Sequence, residues 1–142
     1  MTVYFDTSSL VKLYIDEPGR ENVRGLLARA TVAVTSSVAY AEARAALARR
    51  RHDRALTSRD FVAATSDFES DWPRFIAISA TDALCREAGD LAEHYRLRGF
   101  DSIHLASFAE MLRGLQGSDD VEFSSFDDRL NAAARRLART IV

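Results

Sequence analysis

Cysteine, lysine and long apolar runs are scarce or missing in this chain of 142 residues. The single cysteine, Cys85, excludes an internal disulfide and any cysteine-rich zinc site. Its neighbours Ala83, Leu84 and Ala88 make it read as a buried structural thiol. No apolar stretch approaches the roughly 20 residues of a membrane span. No basic segment precedes an apolar one at the N-terminus, so neither a membrane anchor nor a secretory leader is expected and the cytoplasm is the expected compartment. An excess of one charge is missing too, and a net charge of −2 gives no global pull toward nucleic acid. Lys12 is the only lysine, and several of the arginines gather in ARRRHDR, Ala48 to Arg54, which reads as a solvated helix end. Repeats, linkers and low-complexity tracts are also lacking. The chain therefore reads as one domain, 1–142, long enough to bury a core without disulfides or structural metal.

The stretch MTVYFDTSSLVKLY shows what is present. Thr2 to Phe5 is rich in β-branched and aromatic residues and predicts a short strand. Asp6 ends it, and Leu10, Val11, Leu13 and Tyr14 resume at helical spacing. Pro18-Gly19 marks a turn. Further strands are predicted at Thr31 to Thr35, Phe75 to Ser79, Val121 to Ser124 and Thr140 to Val142. Helices are predicted around Val23, Leu26 and Leu27, then over Ser36 to Arg51, Thr57 to Trp72, Asp82 to Arg96, Asp101 to Leu115 and Asp127 to Ala138. Five short apolar strands separated by helices imply right-handed crossovers and a parallel sheet covered on both faces.

Four acids stand out against that frame. Asp6, Asp101 and Asp127 each precede a helix, where an Asp by itself reads as a cap. Glu42, in YAEARAAL, is flanked by small residues suited to a packed face, where a carboxylate is costly to desolvate without a partner. Asp6 and Asp127 follow strands of one parallel sheet and so reach the same rim. Asp101 and Glu42 sit on helices that begin near that edge. Clustered carboxylates repel and raise one another's pKa values, a cost that divalent cations relieve. An all-oxygen set points to Mg²⁺ or Mn²⁺ rather than zinc. Carboxylate-held metals activate water and offset charge on a leaving oxygen.

The blocks FDTSSLVKLYIDEPG, AYAEARAALARR, RGFDSIHLA and SSFDDRLNAAA, in that order, resemble the PIN domain, and most closely its bacterial VapC-type toxin branch. The resemblance spans essentially the whole chain. It implies a three-layer α/β/α fold around a central, mainly parallel five-stranded sheet. It also implies a Mg²⁺- or Mn²⁺-dependent endoribonuclease, silenced by a small VapB-type antitoxin and usually homodimeric. The family's acidic quartet falls on Asp6, Glu42, Asp101 and Asp127, with Asp128 as the alternative one residue on. Asp6, Asp101 and Asp127 are the candidates for metal contact, while Glu42 either ligates through water or accepts the nucleophile's proton. Ser8 and Ser125 are short enough to orient a carboxylate or a water at the metal.

Arg44, Arg98 and Arg129 lie close in sequence to three of the acids and are candidates for holding RNA phosphates, with surface ion pairs an equal account. His104, between Ile103 and Leu105, reads as a packing residue, and His52 and His94 as surface. Tyr4, Phe5 and Phe75 read as core. Phosphatase and receiver patterns do not fit, because Thr7-Ser8 follow Asp6 and no lysine occurs late in the chain. The alternative to catalysis is a PIN-like module that binds RNA or a peptide without cutting.

Overall fold

The first strand shows how the molecule is layered. In the computed structural model, which describes residues 1–115, 117 and 120–141, β1 (Thr2–Phe5) is buried at every position. A strand covered on both faces reads as a continuous apolar run rather than an alternating one. Its side chains still alternate. Val3 and Phe5 join one buried cluster, and Tyr4 joins another on the opposite face.

The chain continues through α1 (Thr7–Lys12), α2 (Arg20–Arg29), β2 (Val32–Ser36), α3 (Val38–His52) and α4 (Ser58–Asp71). A 3₁₀ turn over Trp72–Arg74, which contains Pro73, ends α4 and leads into β3 (Ile76–Ile78). Then follow α5 (Asp82–Tyr95), α6 (Gly99–Gly114), β4 (Val121–Ser124) and α7 (Asp128–Ile141). Among the described residues the sheet has four strands in the order β3-β2-β1-β4, all parallel. Tyr4 pairs with Val34 on one side and with Phe123 on the other.

Helices cover both faces, as expected. One face packs Val3 and Phe5 against Leu10 and Val11 of α1, Val23 of α2, Ala43 and Leu47 of α3 and Phe68 of α4. The other packs Tyr4 and Val34 against Leu105 and Phe108 of α6 and Leu130 and Leu137 of α7. Tyr4, Phe5 and Phe75 are core residues, and His52 and His94 are exposed.

Two expectations change. The fifth strand does not form: Thr140 and Ile141 continue α7, and Val142 lies outside the described residues. Their β-branched side chains favour a strand locally. Ile141, however, falls one turn beyond Leu137 and packs on the same cluster, while Thr140 Oγ1 donates to the Leu137 carbonyl at 2.7 Å. Tertiary packing of the helix face outweighs propensity. Cys85 is exposed rather than buried. Leu84 and Ala88 occupy the packed stripe of α5, and one step along a helix turns Cys85 about 100° away from it.

Candidate active site

Because β1 and β4 are parallel neighbours, the residues that leave their C-terminal ends meet at one rim. Asp6 follows β1 directly, and Asp127 precedes α7. Glu42 stands in the second turn of α3, and Asp101 in the first turn of α6. The structure brings all four carboxylates to the wall of one cavity of about 530 Å³. A second cavity of about the same volume, between α2, β4 and α7, touches Ser125 but none of the four acids.

Asp6 is both a cap and a wall of the cavity. Its Oδ1 accepts from Ser8 Oγ at 2.7 Å and from the Ser9 amide at 3.0 Å, and Oδ2 accepts from Ser125 Oγ at 2.7 Å. Only 4% of Asp6 is exposed. Burial pushes its carboxyl above the usual value, and the donors Ser125, Ser8 and Ser9 pull the other way without cancelling it. The serines also tie the start of α1 to the loop before α7. Ser8 Oγ accepts from the Phe126 amide and Ser125 Oγ from the Asp127 amide, each at 3.0 Å.

Glu42 is held by a chain of groups reaching into the core. Thr7 Oγ1 donates to its Oε1 at 2.6 Å, and His104 Nε2 lies 2.8 Å from the same oxygen. His104 is buried, and its Nδ1 is 2.8 Å from the hydroxyl of Tyr4. In the neutral ring that satisfies every group, Tyr4 donates to Nδ1 and Nε2–H donates to the carboxylate. Burial raises the Glu42 carboxyl, but the bonds from His104 and Thr7 outweigh it and leave the group below its ordinary value.

The other two acids are held differently. Asp127 Oδ1 accepts from the Leu130 amide at 3.0 Å and so caps α7. Arg98 spans the pair, with Nε 3.3 Å from Asp101 Oδ2 and Nη2 3.9 Å from Asp127 Oδ2. The Arg98 side chain is 84% exposed, against 22% for Asp101 and 32% for Asp127. Asp128 is exposed and lies off the cavity, which favours Asp127 in the register of the fourth acid.

Of the three arginines named from the sequence, Arg98 alone lines the cavity. Arg44 turns away to Glu69 at 2.6 Å and the Tyr40 hydroxyl at 2.9 Å, because residues two apart on a helix occupy different faces. Arg129 is exposed on α7 and off the cavity. The cations that do line it, besides Arg98, are Lys12, Arg49 and Arg50, with Arg50 bonded to Glu17 at 2.7 and 3.3 Å. Sequence reasoning passed over these, along with Thr7, Phe100, Phe126 and the role of His104. For His104 the signal is its place one helical turn after Asp101, on the same side of α6, which the apolar neighbours Ile103 and Leu105 outweigh in a sequence reading.

Oxygen-only donors suit a hard cation such as Mg²⁺ or Mn²⁺. Arg98 marks where positive charge already sits between two of the acids. As the side chains lie, no three Asp, Glu, His or Cys residues among those described are gathered closely enough to form a ligand cluster. Asp101 and Asp127 would have to turn from Arg98 to make one.

The chain matches the PIN domain family model over residues 3–136. It is 34% identical over 132 residues to Ribonuclease VapC45 of Mycobacterium tuberculosis strain CDC 1551 / Oshkosh, covering 93% of this chain and 88% of that one. The same figures hold for Ribonuclease VapC49 of M. tuberculosis strain ATCC 25618 / H37Rv: 34% identity over 132 residues, 93% and 88% coverage. The crystal structure of M. tuberculosis VapC20, a Sarcin-Ricin loop cleaving toxin, superposes with a TM-score of 0.68 over 92% of this chain and 94% of its own. At 23% identity that likeness speaks to the fold.

Proposed function

This chain belongs to the PIN-domain family, in its VapC-type branch, and on that premise we propose that it is a metal-dependent endoribonuclease serving as the toxin of a toxin–antitoxin pair. The observation that carries the reading is the meeting of Asp6, Glu42, Asp101 and Asp127, from four separate elements, around one cavity. Mg²⁺ or Mn²⁺ held by Asp6, Asp101 and Asp127 would supply an activated water and a counter-charge for the phosphate oxygens. Ser8 and Ser125 hold the Asp6 carboxylate in one orientation. Glu42, kept ionised by His104 and Thr7, would either bind the metal through a water or accept the proton of the attacking water. Lys12, Arg49 and Arg98 line the same cavity and can meet RNA phosphates there.

The partners in this reading are RNA, a VapB-type antitoxin and a second copy of the chain as homodimer. The antitoxin would silence the site most economically with an arginine paired to two of the carboxylates, in the manner Arg98 shows internally. Residues 1–142 form one domain in this reading, working in the cytoplasm. Among the described residues no helix is long and apolar enough to cross a membrane.

The deciding experiment is RNA cleavage by the purified chain with Mg²⁺ or Mn²⁺, beside its Asp6→Asn variant. Cleavage that needs the metal and is lost in the variant supports the reading. Undiminished cutting in excess EDTA, with contaminating nuclease excluded, would refute the metal dependence. Binding of RNA with no cutting under any metal would favour the non-catalytic module instead.

A further inference from the structure

Among the described residues four large hydrophobic side chains are notably exposed: Val62, Ile76, Phe100 and Phe126. Single exposed apolar residues are ordinary. Their placement here is not. Phe100 and Phe126 each directly precede an acid, Asp101 and Asp127, and both line the cavity that holds the four carboxylates. Val62 and Ile76 do not line it.

Phe126 is built into its position. Gly19, at φ +99°, lies so close that a Cβ there would stand 2.5 Å from Phe126 Cε1 and 2.6 Å from Cζ. Lys12 Nζ sits 5.1 Å from the ring centroid, within cation–π range. The residue nonetheless keeps 47% of its surface exposed, and Phe100, in the first turn of α6, keeps 58%. Phe126 is thus held in place, and both rings stand uncovered on the cavity wall, which Lys12, Arg49 and Arg98 also line. Aromatic faces set among cations suit a strand whose bases are free to stack while its phosphates are neutralised. A duplex keeps its bases stacked on one another and offers no such face.

We infer that Phe100 and Phe126 are base-stacking residues, each taking the face of an unstacked base of the RNA strand at this cavity. The inference rests on the ribonuclease reading above. The test is fluorescence-anisotropy titration, in EDTA to prevent cleavage, of a short mixed-sequence RNA used free, annealed to its complement, or with abasic sites replacing consecutive bases. Wild type binds the free strand more tightly than the duplex. Phe100→Leu and Phe126→Leu keep apolar bulk but lose the π face, and each weakens single-strand binding by roughly 5- to 150-fold, the scale of one lost base stack. Binding of the duplex and the abasic strand changes little, and Phe126→Tyr restores affinity.

Unchanged single-strand affinity in both Leu variants, while wild type still cuts RNA with metal, overturns the stacking assignment and leaves the ribonuclease reading standing. Leu variants that bind RNA normally but lose affinity for an inhibitor protein overturn it as well, making the rings a protein-docking feature. A wild-type chain that neither binds nor cuts RNA removes the ribonuclease reading and this inference with it.

Discussion

The two halves of the acidic cavity are built on different principles. Asp6 and Glu42 form an inner half, in which each carboxylate is held by two or three donors from the surrounding fold. Asp101 and Asp127 form an outer half, shared by one exposed guanidinium. Burial explains only Asp6, which is 4% exposed and must be hydrogen-bonded where it stands. Glu42, with 26% of its side chain exposed against 22% for Asp101 and 32% for Asp127, is held because Thr7 and the buried His104 are aimed at it. The inner half is therefore preset by donors of the fold, whereas the outer half leans on a guanidinium that can leave, with Asp127 Oδ1 still tied to the Leu130 amide.

The largest expected effect tests the preset half. Asp6→Asn lowers RNA cleavage by on the order of 10³-fold or more, the scale of losing a fixed electrostatic partner of the transition state. In EDTA it melts at or above wild type, because a buried charge is removed and Asn caps α1 about as well as Asp. Asp6→Ala, which removes the cap as well, costs about 0.5–2 kcal/mol. Thermal melts of both variants measure this, and a severe loss of stability in the Asn variant would make Asp6 a structural residue first.

Next is the chain behind Glu42. His104→Leu leaves the Tyr4 hydroxyl proton without its acceptor and takes one donor from the Glu42 carboxylate, costing about 1–3 kcal/mol of stability. Mn²⁺ affinity or cleavage falls by about 10- to 100-fold, the usual range for groups that orient ligands. Calorimetric titration checks the first and rate assays the second. A variant unaffected in both would show that Glu42 needs no such support.

The pH dependence of metal-free stability sharpens the contrast within the inner half. Asp6 titrates above its ordinary 3.8, so the native state binds more protons than the unfolded one in that window. Its contribution to stability falls as pH rises through the raised pKa. Glu42 titrates below its ordinary 4.5, so its contribution is present above 4.5 and lost as pH falls through the lowered value. Asp6→Asn should therefore gain on wild type as pH rises above 3.8, and Glu42→Gln should fall behind as pH approaches 4.5 from below. Melts in chelator across acid pH measure both, and differences of the same sign would erase the distinction.

The smallest effects belong to the outer half. Asp127→Asn keeps the cap of α7 and melts near wild type, but binds Mn²⁺ more weakly and cuts RNA more slowly, while Asp128→Asn changes neither. Arg98→Ala shifts stability by less than about 1 kcal/mol, as expected for an exposed ion pair. It raises Mn²⁺ affinity by removing a competing cation. Loss of function in Asp128→Asn alone would move the register one residue.

The sequence disclosed the acids better than their surroundings. Asp6, Asp101 and Asp127 each sit where an apolar or glycine-marked segment gives way to a helix, a boundary that local pattern reveals. Arg44 and Arg129 seemed near the site because they are near it along the chain, and helical rotation carries them elsewhere. His104 looked like packing because Ile103 and Leu105 flank it. Its partners, Tyr4 and Glu42, are separated from it by 100 and 62 residues. The final TIV looked like a strand, and only the packing of Ile141 beside Leu137 makes Thr140 and Ile141 helix.

By itself the sequence determined the alternation of strands and helices, and hence a parallel sheet whose strand ends share one rim. Hydrophobic period and turn residues are local quantities, and parallel crossovers leave little choice of hand. It also determined that the rim is acidic, since Asp6 and Asp127 follow strands of one parallel sheet and so leave it at the same edge. The tertiary structure alone decided which acids are held by donors of the fold and which by an exposed arginine, which cations face them, and that two phenylalanines stand uncovered at the cavity. Those properties depend on burial and on groups brought within about 3 Å from distant parts of the chain. Distance through space, unlike periodicity, is not written in any short window of residues.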